Sequence, residues 1–230
     1  GRDDPNMHYL ELTTKEKALI KHVEDNFDKV VVLINSGNIL EMGELQNDPK
    51  ISAILSIGQT GDYGFDGVIK VLTGEVSPSG RTVDIWARDF TTDPTYQNFG
   101  DGNQTVEQGT NTDYVSGGKT FGKEVEYEEG IYLGYKYYET MHNEIKAGKV
   151  NLGDAATKKV LGSADLGSEF RDADDWYDKT IVYPFGYGLS YTTFDQKILN
   201  VKEDENSVHF DVVVTNTGDV AGKDSVQIYL

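Results

Sequence analysis

The feature that most limits what this chain can fold into is a change of rhythm at residues 183–194, YPFGYGLSYTTF. Before it, apolar residues at helical spacing alternate with short β-branched runs; after it, the pattern is that of strands alone. Those twelve residues hold five aromatics, one proline and two glycines two positions apart. Pro184 fixes its own φ and biases Val182 and Tyr183 toward extended backbone, while Gly186 and Gly188 accept angles closed to other residues. Aromatics clustered on such a bend bury area, so the segment reads as packing at the junction of an α/β unit and a β unit.

Upstream, Thr13 and Glu16 have the spacing of a capping box, and Ala18, Leu19, Val23 and Phe27 follow on one helical face. The run VVVLI at 30–34 is continuous and β-branched, which predicts a strand buried on both faces, as in parallel sheets. A short helix is expected around 42–46, a second strand over 51–57, a helix over 65–73 and a third strand over 82–87. This order predicts right-handed crossovers and an α/β fold, a mostly parallel sheet sandwiched by helices. Residues 88–125 lose the pattern and read as a long loop of the functional or disordered kind. A helix is predicted over 127–141, with Glu128 and Glu129 in its first turn complementing the dipole. Residues 142–180 are polar and end in DADDWYD, expected to be a solvated loop.

Beyond the junction, 197–202, 208–215 and 225–230 predict three strands of a partial all-β, immunoglobulin-like domain. The pattern stops within the third, so the chain is expected to be a piece of a longer protein.

Composition narrows the chemistry. There are 39 Asp and Glu against 21 Lys and Arg, a formal charge of −18. Such a field repels phosphates and anionic lipid, so neither nucleic acid nor membrane is an expected partner. No cysteine is present, which excludes disulfide frameworks and Cys-ligated zinc and fits a cytoplasmic or a secreted bacterial protein alike. The longest apolar run, VVVLI, falls far short of the roughly 20 residues a membrane span needs.

GQTGDYG (58–64) invites a nucleotide reading, because glycines between a strand and a helix can cradle phosphate. Its spacing is G-x-x-G-x-x-G instead of G-x-G-x-x-G, and it holds no basic residue. What survives is its place, at the carboxyl end of a strand, where α/β sheets bind ligands. None of the four histidines, His8, His22, His142 and His209, lies in a nucleophile-elbow context. Asp172, Asp174, Asp175 and Asp178 offer calcium-type oxygens but lack the glycine and distal glutamate of an EF-hand loop; both the solvated-loop and the calcium reading stand. Carboxylates and aromatics remain, the chemistry of sugars. A retaining glycosidase needs two carboxyl groups about 5–5.5 Å apart, and composition alone selects no pair.

Four blocks in order carry a resemblance that does select: TTKEKALIKHVEDNFDKVVVLINSGN (13–38), residues 53–61 with VLTGEVSPSGR (71–81), EEGIYLGYKYYE (128–139), and YPFGYGLSYTTF. Together they resemble the C-terminal part of glycoside hydrolase family 3, the β-glucosidase family, with Ser77 where Asn is frequent. The resemblance implies an α/β sandwich domain over 1–192 and an incomplete fibronectin-III-like domain over 193–230. It implies a β-glycoside or oligosaccharide substrate, no cofactor, no metal, and a (β/α)8 barrel elsewhere in the same protein that carries the nucleophilic Asp. Gly1, Arg2 and Asp3 fit the second half of a motif like S-G-E-G-x-D, with Leu10 and Leu12 at the expected distance. The acid/base Glu is therefore expected just before Gly1, and no catalytic residue within the chain. The sugar-pocket rim is expected to include Arg2, Asp3, Gln59, Asp62, Phe99 and Asp101. A non-catalytic carbohydrate-binding or scaffold module, and a nucleotide-binding α/β domain using GQTGDYG, are the alternatives.

Overall fold

The computed structural model describes residues 10–95, 113–116, 119–123, 129–153 and 170–229. They fall into two compact units. One is drawn from residues up to 32, 38–54 and 84–184, the other from 33–37, 55–83 and 185 onward.

Helix α1 (Thr14–Asn26) begins as its capping box predicts. The Glu16 amide donates to Thr13 Oγ1 at 3.2 Å, and the Thr13 amide donates to the Glu16 carboxylate at 2.7 Å. Strand β1 (Val30–Ile34) follows and pairs with β2 (Ile51–Ser56), with the short α2 (Gly43–Gln46) between them. The Ile57 amide donates to the Ile34 carbonyl at 3.0 Å, which sets the carboxyl ends of β1 and β2 side by side, as in a parallel pair. Burial of β1 on both faces is not observed. Val30 and Ile34 are buried, but Val31 and Leu33 are 47% and 37% exposed. A continuous apolar run permits burial on two faces; the layers that would cover them come from elsewhere in the chain.

In the first unit the core is built from Ile85, Tyr137, Tyr138, Phe170, Trp176 and Ile181 with their smaller neighbours. Helix α4 (Tyr135–Lys146) and helix α5 (Ala173–Thr180) supply most of it. The Tyr138 and Trp176 rings stack at 6.2 Å between centroids and 26° between planes. The acidic run expected as a solvated loop is thus a core helix. Ala173, Trp176 and Thr180 fall on one helical face, and the acids between them hide that period from a composition reading. Asp172 caps it, accepting from the Asp175 amide at 2.8 Å.

The helix expected over 127–141 starts only at Tyr135. Gly130 (φ 58°) and Gly134 (φ 52°) hold left-handed backbone, which an L-residue adopts at a cost and which interrupts a right-handed helix. Glu129 therefore lies in the turn before the helix, the first turn of α4 carries no acid, and the dipole-capping role expected of Glu129 is absent. Glu128 itself lies outside the described residues.

A mixed α/β architecture is present, but the mostly parallel sheet is not what the described residues form. Strand β3 (Trp86–Ala87) is antiparallel to β6 (Ile181–Tyr183), β4 (Asp113–Ser116) to β5 (Lys119–Lys123), and β7 (Phe194–Glu203) to β8 (Val208–Asn216). Helix α3 (Phe65–Leu72) separates β2 from β3. Periodicity identifies a strand but neither its partner nor its direction, and β3 finds its partner more than ninety residues downstream. The third strand expected after the junction does not form among the described residues, because an extended segment becomes a strand only when a ladder pairs it.

In the second unit, residues of the junction are tied to the 71–82 segment. Ser77 Oγ lies 2.8 Å from Ser190 Oγ and accepts from the Tyr191 amide at 3.0 Å. The Tyr191 hydroxyl donates to the Val71 carbonyl at 2.8 Å, and Thr82 and Tyr187 exchange backbone and side-chain bonds. Arg81 pairs with Asp224 at 2.8 Å, and the Gln196 amide donates to the other oxygen of that carboxylate at 2.7 Å.

Candidate functional site

The bond between Ile57 and Ile34 brings together the two turns that leave the carboxyl ends of β1 and β2, residues 35–37 and 58–64. The Gln59 side chain lies across Gly37, close enough that a Cβ there would stand 3.2 Å from Nε2. The second turn winds tightly into α3. The Gly64 amide donates to the Thr60 carbonyl at 3.0 Å and the Gly67 amide to the Gly64 carbonyl at 3.1 Å. Gln59 and Asp62 are both exposed on this single turn. An amide that donates and accepts, and a carboxylate that accepts, are groups suited to hydroxyls. The turn holds no cation to set against a phosphate.

Of the six residues expected at the rim, Gln59 and Asp62 are exposed on this turn, while Arg2, Asp3, Phe99 and Asp101 lie outside the described residues. The calcium reading of 172–178 is not supported by the geometry. Asp175 is buried against Arg171 (2.8 Å) and Lys179 (3.0 Å), and Asp174 bonds His142 (2.7 Å). The Arg171 amide and guanidinium and the Lys179 ammonium hold the Asp175 carboxyl well below the usual carboxylate range. Among the described residues no group of three or more His, Asp or Glu side chains is placed to hold a metal ion, and no helix is long and apolar enough to cross a membrane.

Two further charged places went unread in the sequence. Asp93 is buried and accepts from the Thr95 amide at 2.9 Å and from the Thr95 hydroxyl. Burial raises its carboxyl pKa, against the lowering effect of the Thr95 bonds, and the nearby Asp84 and Glu129 raise it further. Burial also pushes Tyr137 up to about 12 and Tyr138 well above the usual tyrosine value, with Asp93 adding to both. The Asp-Pro-Thr string at 93–95 is a turn signal that would have flagged this site. The second place is a cleft of about 320 Å³ lined by Glu11, Lys17, Glu41, Glu44 and Arg88 among others. Its charges are engaged internally. Lys17 pairs with Glu44 at 2.8 Å, Glu41 accepts from the Phe90 amide at 2.7 Å, and Arg88 donates to the Lys179 carbonyl at 3.1 Å and to Gln46 at 3.2 Å. This cleft reads as structural, and the β1/β2 turns are the candidate site because they set exposed polar side chains at the carboxyl ends of two strands.

Comparison with known proteins bears on what such a site serves. Residues 2–135 match the family described as glycosyl hydrolase family 3 C-terminal domain. A β-glucosidase of Ruminococcus albus is 32% identical over 219 residues, 95% of this chain and 17% of that protein. An exo-α-(1→6)-L-arabinopyranosidase of Bifidobacterium longum is 27% identical over 96% of this chain and 22% of that protein. Among solved structures, β-glucosidase 3B of Thermotoga neapolitana in complex with glycerol is similar at a TM-score of 0.63 and 28% identity, over 95% of this chain and 24% of that one. The chain spans about a fifth of the length of these relatives.

Proposed function

The chain belongs to the C-terminal domain family of glycosyl hydrolase family 3, and from that premise we propose that it serves a retaining β-glycosidase as the rim of the sugar pocket. The observation that carries the reading is the exposed Gln59 and Asp62 pair, held on one tight turn where the carboxyl ends of two strands meet. Arg2, Asp3, Phe99 and Asp101 complete the proposed rim. The carboxylate nucleophile belongs to a (β/α)8 barrel of the same protein, and the acid/base Glu directly precedes Gly1. The two groups act through a covalent glycosyl-enzyme intermediate.

In this reading 1–192 form the sandwich domain, and the β7–β8 hairpin opens a fibronectin-III-like domain over 193–230. β-Glucosides are the favoured substrates, since β-glucosidases of several genera are similar over most of the chain. The test compares the 230-residue chain with a longer polypeptide that adds its barrel, using a chromogenic β-glucoside. Turnover is expected from the longer polypeptide alone, and Gln59→Ala or Asp62→Ala in it should raise KM more than it lowers kcat. Turnover by the 230-residue chain would overturn the placement of both carboxylates outside it.

A further inference from the structure

The turn that carries Gln59 and Asp62 also presents Tyr63, which is 89% exposed and the most exposed large apolar side chain among the described residues. A tyrosine normally buries much of its ring, and the energy of doing so makes an aromatic held out from the fold informative. Tyr63 does not protrude from a slack loop. The bond from Gly64 to Thr60 winds the chain around it, and a Cβ on Gly64 would stand 2.2 Å from the Thr60 carbonyl oxygen, so the turn is wound as tightly as a glycine allows.

We propose that Tyr63 is a stacking platform for a pyranose ring, with Gln59 and Asp62 binding the hydroxyls at that ring's edge. The proposal rests on the glycosidase reading and adds to it a sugar-contacting residue. A pyranose has two unlike surfaces, a face of C–H groups and a rim of hydroxyls. The electron-rich face of a tyrosine attracts the C–H groups, while the rim needs both donors and acceptors. One turn here supplies all three parts: a flat aromatic, an amide that donates and accepts, and a carboxylate that accepts. The absence of any lysine or arginine in residues 58–64 fits a neutral ligand and opposes a phosphorylated one.

The test is saturation-transfer NMR on the 230-residue chain with cellobiose and methyl β-glucoside, with affinities from titration. Transfer from the tyrosine ring to sugar C–H protons is expected. Tyr63→Phe should retain it, because the ring face is kept, and Tyr63→Ala should weaken binding by about three- to tenfold. The thermal midpoint of Tyr63→Ala should match that of the parent chain. Three results would overturn the proposal. Equal affinity in Tyr63→Ala, with loss in Gln59→Ala or Asp62→Ala, removes the platform and keeps the turn as a sugar site. A lowered midpoint in Tyr63→Ala makes the ring a packing residue. No sugar binding by the parent chain removes the platform too, and leaves the glycosidase reading to the turnover test on the longer polypeptide.

Discussion

A Cβ on Gly188 would stand 2.3 Å from the carbonyl oxygen of Gly80, nearer than real Cβ atoms approach a backbone oxygen. Two motifs 108 residues apart, the SPSGR turn and the aromatic junction, therefore meet backbone to backbone at one glycine. The bonds from Ser77 to Ser190 and Tyr191 run alongside that contact.

Gly188→Ala should accordingly destabilise the chain by about 1–3 kcal/mol, because a backbone carbonyl cannot yield as a flexible side chain does. Gly80→Ala is the control. A Cβ there meets nothing within 4 Å, so its stability should stay within about 0.5 kcal/mol of the parent. Denaturant titration of both variants checks the pair.

Asp93 should make the chain less stable as pH rises. Its folded pKa is raised by burial above the unfolded value near about 3.9. As pH climbs from the unfolded to the folded value, the unfolded chain loses its proton first, and stability falls across that window. Asp93→Asn keeps a carbonyl acceptor for the Thr95 amide but cannot ionise. It should flatten that slope and leave the neutral-pH thermal midpoint equal or higher.

Asp175 should act with the opposite sign. Its carboxyl is held well below the usual range, first by the Arg171 amide and then by the Arg171 and Lys179 side chains. The stability it supplies is complete above the unfolded value near about 3.9 and is lost as pH falls below it toward the folded value. Asp175→Asn should lower the thermal midpoint at neutral pH by several degrees and reduce the loss of stability in acid. Thermal melts at stepped pH separate it from Asp93→Asn.

Gly134→Ala should cost about 1–2 kcal/mol, since φ of 52° places an L-residue in the left-handed region. The added Cβ would also stand 3.1 Å from Asp84 Oδ1. Ala147→Gly, just past the other end of α4, should change stability less; urea unfolding measures both.

Much of the local structure was legible because it is written in local signals. The Thr13–Glu16 box starts α1 where its spacing says, and the apolar runs at 30–34 and 51–57 become β1 and β2 within a residue. The sheet's direction was not legible, because hydrogen-bond partners such as Trp86 and Tyr183 are chosen by the whole fold. Of the candidate site, the turn at 58–64 could be found from its glycines and its place after a strand. The exposure of Tyr63 could not, because exposure depends on what every other segment covers.

The sequence by itself determined the caps, the runs, the acidic field and the family, through four ordered blocks of residues. Only the tertiary structure decided that DADDWYD is a core helix and that Glu129 lies in a turn ahead of α4. It also decided that the YPFGYGLSYTTF segment is pinned to the SPSGR turn. Each of these depends on contacts between residues far apart in the chain. A buried Asp175 is tolerable only with Arg171 and Lys179 beside it, and Gly188 is needed only because Gly80 is there.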